Sequence, residues 1–125
     1  MKKKVSEIFN THYVETDGQN HVSCEPSKEG IEVAVHKNDL EKRGFQEYRP
    51  QLIAQWNEGG NFEGYCDSAR KYHASRIAFF VVNRWDDPIK LNKDEHTVKE
   101  GLHRLKAAIH LGIETVEVEI CYDSA

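Results

Sequence analysis

Hydrophobic and polar positions change their period several times along this chain, and each change marks an element. The segment Ile31-Glu32-Val33-Ala34-Val35-His36 alternates apolar and polar residues, which predicts a half-buried strand. Asn38 or Asp39 then stands where a short helix would begin, running to Arg43 and ended by Gly44. Pro50 suits the first turn of a second helix, which carries Leu52, Ile53, Ala54 and Trp56 and stops at Gly59-Gly60. A third, weaker helix is predicted from about Asp67 to His73. The run Ile77-Ala78-Phe79-Phe80-Val81-Val82 is unbroken, β-branched and aromatic, and predicts the central buried strand. Asp86-Asp87-Pro88 breaks that run, and Ile89-Lys90-Leu91 reads as a short extended return.

The final third is the most legible. Leu102, Leu105, Ile109 and Ile113 fall on one helical stripe, with Gly101 before it and Gly112 as its C-terminal stop. Thr115-Val116-Glu117-Val118-Glu119-Ile120 then alternates strictly, a strand with one polar face. Residues 1–10 read as a loose arm or short helix, and residues 12–32 as turn-rich, punctuated by Asp17-Gly18, Pro26 and Gly30. Strands and helices alternate irregularly, so the fold class expected is α+β, a small mixed sheet with helices. At 125 residues, one domain spanning the chain is the expectation.

Charge and cysteines narrow the partners. A net charge of −4 opposes wholesale coating of nucleic acid, which needs clustered Lys and Arg. The best local basic patch for DNA is Arg70, Lys71 and Arg76, a pattern that a solvated helix face also produces. Cys24, Cys66 and Cys121 are far apart and odd in number, which reads as free thiols in a reducing compartment. Seven histidines include no HxxxH or HExxH pair, and two helical turns separate His103 from His110, so no metal ligand is assigned. No apolar run approaches the roughly 18 residues of a membrane span, and polar residues follow Met1-Lys2-Lys3-Lys4. A cytoplasmic protein without membrane association is expected.

Several chemistries lack their motif. Neither a P-loop nor a G-x-G-x-x-G occurs, and no nucleophile elbow surrounds Ser75. Trp56, Trp85, Phe79 and Phe80 are core aromatics or base-stacking residues, and Tyr65, Tyr72 and His73 are the better candidates for a ligand wall.

The informative stretch is Val98-Lys99-Glu100-Gly101-Leu102-His103-Arg104-Leu105-Lys106-Ala107-Ala108. A strand ends in a glycine turn and a helix begins at once. The start of that helix carries backbone N–H groups without intrahelical partners and a partial positive charge, a ready anion site. Gly101 lets the backbone approach a ligand, Arg104 offers a bidentate clamp for phosphate, and His103 adds a donor whose charge switches near neutral pH. The plainer alternative is that Arg104 pairs with Glu100 and His103 packs.

Pro88-Ile89, then Val98 to Arg104, Ala107-Ala108, Leu111-Gly112 and the alternating strand together resemble the ParB/sulfiredoxin superfamily over about residues 77–120. Members typically show a strand, a (Asp/Glu)-Gly-x-(His/Arg)-Arg turn, a helix with small residues, a Leu-Gly stop and a final Val-x-Val strand. The resemblance implies that Gly101, His103 and Arg104 contact nucleotide phosphates, with ATP or CTP and Mg²⁺ as the corresponding cofactors. It places Glu100 near a metal ion or a reacting hydroxyl, so Glu100 and His103 are the catalytic candidates. Leu102 stands where sulfiredoxins carry their reactive cysteine, which argues against that chemistry. The sequence ends at Ala125, without the helix-turn-helix region of partition proteins, so a self-sufficient partition protein is not expected.

Three function classes follow. The first is a nucleotide- or phosphate-binding domain, with NTP hydrolysis or phosphoryl transfer as its chemistry. The second is a DNA-acting protein of a plasmid or phage, nuclease-like or an accessory, which the acidic charge opposes. The third is a non-catalytic interaction module or inhibitor from a mobile element, held by a protein partner.

Overall fold

A computed structural model describes residues 1–8, 25–57, 60 and 62–122. Asp17-Gly18, Cys24, Gly59 and the Trp56 side chain, each singled out above, lie outside the described residues. The architecture is α+β, and the described residues form four α-helices and a four-stranded mixed sheet. The chain divides into two compact units, residues 1–12 with 80–125 and residues 13–79. No helix among the described residues is long and apolar enough to cross a membrane.

The first unit holds the sheet, with strands β1 (Lys2–Lys4), β2 (Ile89–Leu91), β3 (Val98–Glu100) and β4 (Thr115–Ile120) in the order β1-β4-β2-β3. β4 pairs parallel with β2, placing Ile89 opposite Val118 and Leu91 opposite Ile120. β2 and β3 form an antiparallel hairpin whose register shifts between Lys90 and Leu91. Its turn is held by Asp94, which accepts from the backbone N–H groups of His96 and Thr97 and from the Thr97 hydroxyl. These three donors hold the Asp94 carboxyl well below its usual range, at about 2.

The N-terminal segment is not a loose arm. β1 lies antiparallel to β4, with Lys3 opposite Val116, and the Met1 ammonium donates to Glu117 Oε2 at 3.1 Å. A single 3₁₀ turn, Val5–Glu7, then delivers Ile8 to the core. Apolar residues alone would not reveal this strand, because Lys2-Lys3-Lys4 has none; it forms by backbone pairing to an edge of the sheet.

Between β3 and β4 runs α4 (Leu102–Leu111), as the pattern predicts. Gly112 adopts the left-handed conformation (φ 72°) and closes the helix, with Ile113 N–H bonding back to the Ala108 carbonyl. The buried face consists of Leu105, Ala107 and Ala108, packed with Ile89, Leu91, Val98, Val116 and Val118. Ile109, expected on this stripe, is 42% exposed, because the small Ala107 and Ala108 turn inward instead.

The second unit is helical, and here alternation misleads. Ile31–His36 is not a strand; it belongs to α1 (Lys28–His36). The helix begins at Ser27, whose Oγ accepts from Gly30 N–H at 3.0 Å. Ile31 and Ala34 face the interior while Val33 is 50% exposed, a period of three and not of two. No helix follows at Asn38–Arg43. Asn38 takes a positive φ of 57°, and the Asn38 and Asp39 N–H groups bond back to Val35 and Ala34 carbonyls, which closes α1.

Helix α2 (Phe45–Asn57) starts a turn earlier than expected, so Pro50 lies inside it and not in its first turn. Helix α3 (Phe62–Asn83) absorbs both the short helix from Asp67 and the predicted central strand Ile77–Val82. Its buried positions Cys66, Ala69, His73 and Ile77 recur every three or four residues, and exposure returns at Val82. An apolar run of six does not distinguish a buried helix from a buried strand. The resulting sheet is small because its expected centre is helical.

The core of this unit gathers Leu52, Tyr65, Cys66 and Ala69. Beside it, Tyr48 stacks on Tyr72 with ring centroids 4.4 Å apart, and the Arg43 guanidinium sits 4.8 Å above the Tyr48 ring. The Tyr72 hydroxyl donates to the Arg43 carbonyl at 2.9 Å, and burial pushes its phenol above the ordinary tyrosine range.

Candidate functional site

The Gly101–Arg104 turn is built by the end of β3 and the start of α4. Gly101 has φ 107°, a conformation that L side chains rarely adopt, and it occupies the N-cap position. Its carbonyl accepts from Leu105 N–H at 2.9 Å, the first bond of the helix. The N–H groups of Leu102, His103 and Arg104 therefore fall in the first turn, where intrahelical bonding supplies no acceptor. Gly101 has no side chain with which to cap this end, and the first turn carries no acidic residue.

Helical side chains lean toward the N-terminus, and Arg104 follows that rule. Its guanidinium folds back onto Gly101, so that a Cβ placed there would lie 2.9 Å from Nη2 and 3.2 Å from both Cζ and Nε. Nη1 donates to the Asp87 carbonyl at 3.0 Å and the Pro88 carbonyl at 3.2 Å. Arg104 thus ties the approach to β2 onto α4. Glu100 does not take up this guanidinium; its carboxylate meets Lys90 Nζ across the β2–β3 hairpin at 3.4 Å. His103 is half-buried one residue before Arg104.

The turn has the donors of an anion site and few ligands for a metal. Among the described residues no group of three His, Cys, Asp or Glu side chains is positioned to hold an ion. Glu100 lies next to the turn but meets Lys90, so a Mg²⁺ there would need most of its oxygens from phosphate and water. A cleft of about 290 Å³ opens nearby in the same unit, lined by Lys2, Arg84, Trp85, Asp86, Asp87 and the near end of β4. Trp85 packs on the sheet core and meets Phe80 edge-on at 6.1 Å.

The remaining candidates are on α3. Arg70 pairs with Asp67 at 3.0 Å, Lys71 is exposed, and Arg76 is half-buried. Arg76 Nη1 donates to the Glu41 and Lys42 carbonyls, and its guanidinium lies 5.4 Å from the Phe79 ring centre. The three cations do not present one common face: two line a groove and the third braces the 41–43 segment. Tyr65, Tyr72 and His73, expected to wall a ligand, are all buried in the helical unit. The polar residues between them hide this buried helical face from a reading of the sequence. Cys66 is buried and Cys121 half-buried, and both are free thiols.

Two features escape a reading of the sequence. Backbone carbonyls of Asp87 and Pro88 as partners of Arg104 leave no trace in residue identity. Lys37 and Asp39 join Arg70 and Lys71 around the α3 groove, which requires α1 to be a helix. Ser27 capping Gly30 was the available signal for that helix.

Comparisons of the chain with protein-family models, with curated proteins and with solved structures find no match.

Proposed function

We propose that the Gly101–Arg104 turn binds a phosphate-bearing ligand, a nucleoside triphosphate being the best fit, in a domain of ParB/sulfiredoxin type. The observation that carries this reading is the Arg104 guanidinium lying over a left-handed Gly101 at the open start of α4. An anion seated there would meet the positive end of α4 and the Arg104 guanidinium, whose Nη1 also holds the Asp87 and Pro88 carbonyls. The helix dipole adds a partial positive charge that no acidic side chain of the first turn cancels. Gly101 serves twice, as the only residue type suited to this φ and as the space that the guanidinium fills. His103 supplies a further donor, strengthened by protonation. For turnover, Glu100 would orient a nucleophile or a phosphate-borne Mg²⁺, with Arg104 offsetting charge on the transferred group.

The test is a titration of the ¹⁵N-labelled full chain with ATP, CTP, AMP and inorganic phosphate, each with and without Mg²⁺. Saturable shifts confined to the Leu102, His103 and Arg104 amides, with a raised thermal midpoint, are expected for at least one triphosphate. His103→Ala should weaken the effect and leave the fold intact. Absence of shifts at these amides with every ligand at millimolar concentration sinks the reading.

A further inference from the structure

The helical unit contains a second site of different chemistry. One stripe of α1 (Ser27, Gly30, Val33, Ala34, Lys37) and one stripe of α3 (Asp67, Arg70, Lys71, Ala74, Ser75) line a groove of about 550 Å³. That volume lies in the range of small-molecule sites. Positions 27, 30, 34 and 37 are spaced three or four apart, and 70 and 71 each lie three or four from both 67 and 74, so each helix offers one continuous face. The middle of both faces is small and apolar: Gly30 and Ala34 on one side, Ala74 on the other. Val33, 50% exposed, extends the apolar wall to the mouth.

Charge stands only at the rim. Arg70 and Asp67 neutralise each other at 3.0 Å. Lys37, Lys71 and Asp39 are exposed and form no ion pair among the described residues. Two ammonium groups facing one carboxylate leave a surplus of one positive charge above an apolar floor. We propose that this groove binds a small organic monoanion with a flat or branched apolar body, such as an aromatic carboxylate. Asp39 and Asp67 weigh against a dianion, so free phosphate and nucleotides are poor ligands. The site is independent of the Gly101 turn and stands or falls separately from it.

Gly30 gives a direct test. A Cβ there would meet Ser27 Oγ at 3.3 Å and nothing else within 4 Å, so a larger side chain enters the groove with only a small adjustment of the cap. The full chain is titrated with 2-naphthoate and, separately, with 2-naphthylmethylammonium, following the amide resonances of Val33, Ala34 and Ala74. Saturable one-to-one binding of the naphthoate alone is expected, weakening as salt rises. Gly30→Leu should abolish it with the thermal midpoint unchanged or raised. The exposed pair Lys37→Glu with Lys71→Glu, which does not disturb the core, should weaken it at least about tenfold, or about 1.4 kcal/mol.

Equal binding of the ammonium analogue overturns the proposal. So does binding of naphthoate that survives both the Gly30 and the double-lysine variants. Competition by inorganic phosphate would show a general anion patch and overturn it too. Amide shifts that depend on protein concentration without ligand would mean that a second copy covers the groove, with the same consequence.

Discussion

Arg104 occupies the space that a side chain at Gly101 would need: a Cβ on Gly101 would come within 2.9 Å of Arg104 Nη2. Two demands therefore meet at one glycine, a positive φ and an empty Cα. Gly112 meets only the first, since nothing lies within 4 Å of a Cβ placed there. Gly112→Ala should cost about 1–2 kcal/mol from backbone strain alone. Gly101→Ala should cost more, because the guanidinium must also move. Chemical denaturation of both variants, with Gly101→Ala repeated in an Arg104→Ala background, separates the two contributions. Strict additivity in that double variant would show that the guanidinium exerts no pressure on the turn.

Arg104 also holds the Asp87 and Pro88 carbonyls. Arg104→Lys keeps the charge and loses the fork that reaches both acceptors. A loss of about 1–2 kcal/mol is expected, with faster amide exchange in residues 86–89. Exchange unchanged in that segment would mean that the tie does not restrain it.

Ser27→Ala removes the side-chain acceptor of Gly30 N–H and should cost about 1 kcal/mol. Protection of the Ile31 to Lys37 amides should fall more than that of α4. A strand at residues 31–36 would lose nothing from this change, so the variant also decides between the alternation and the helix.

Asp94 and Tyr72 are shifted from their ordinary values in opposite directions. Hydrogen bonds to Asp94 lower its folded pKa to about 2, so its contribution is present above the unfolded value near 4 and is lost as pH falls toward 2. Thr97→Val should raise the Asp94 midpoint in a carboxyl ¹³C titration. Tyr72 behaves in the opposite sense. Burial raises its folded pKa, so its contribution holds below the unfolded value near 10 and is lost above it. In an absorbance titration Tyr72 should ionise only with alkaline unfolding, and Tyr72→Phe should remove that part of the delayed signal.

The sheet half was legible where local signals agreed. Gly101 and Gly112 bracket α4, strict alternation marks β4, and Pro88 sets the start of β2, so period, turn and cap all point the same way. The helical half was not, for two separate reasons. In α1 the alternation of Ile31, Val33 and Val35 is accidental, since only Ile31 among them is buried and Ala34 takes the inner position. In α3 a helix buried on much of its circumference has no clean polar face, so Ile77–Val82 looks like a strand. The donors of the candidate turn were readable from Gly101, His103 and Arg104. Their geometry was not, because Arg104 is positioned by carbonyls from a distant segment and Glu100 is drawn to Lys90 by strand register.

The pairing of β1 with β4 joins positions 111 to 115 residues apart, and the Met1–Glu117 contact spans 116. During synthesis β4 leaves the ribosome more than a hundred residues after β1, so β1 waits for its neighbour. The helices of residues 28–83 emerge earlier and are free to form first. Closing so long a loop adds entropy cost only slowly with length, about 0.6 kcal/mol per doubling, but it delays the event. Until then the edge of β4 that β1 will cover has no partner from this chain. Nascent protein stalled short of β4 would therefore carry the helices of residues 28–83 beside a sheet that lacks the strand joining β1 to β2.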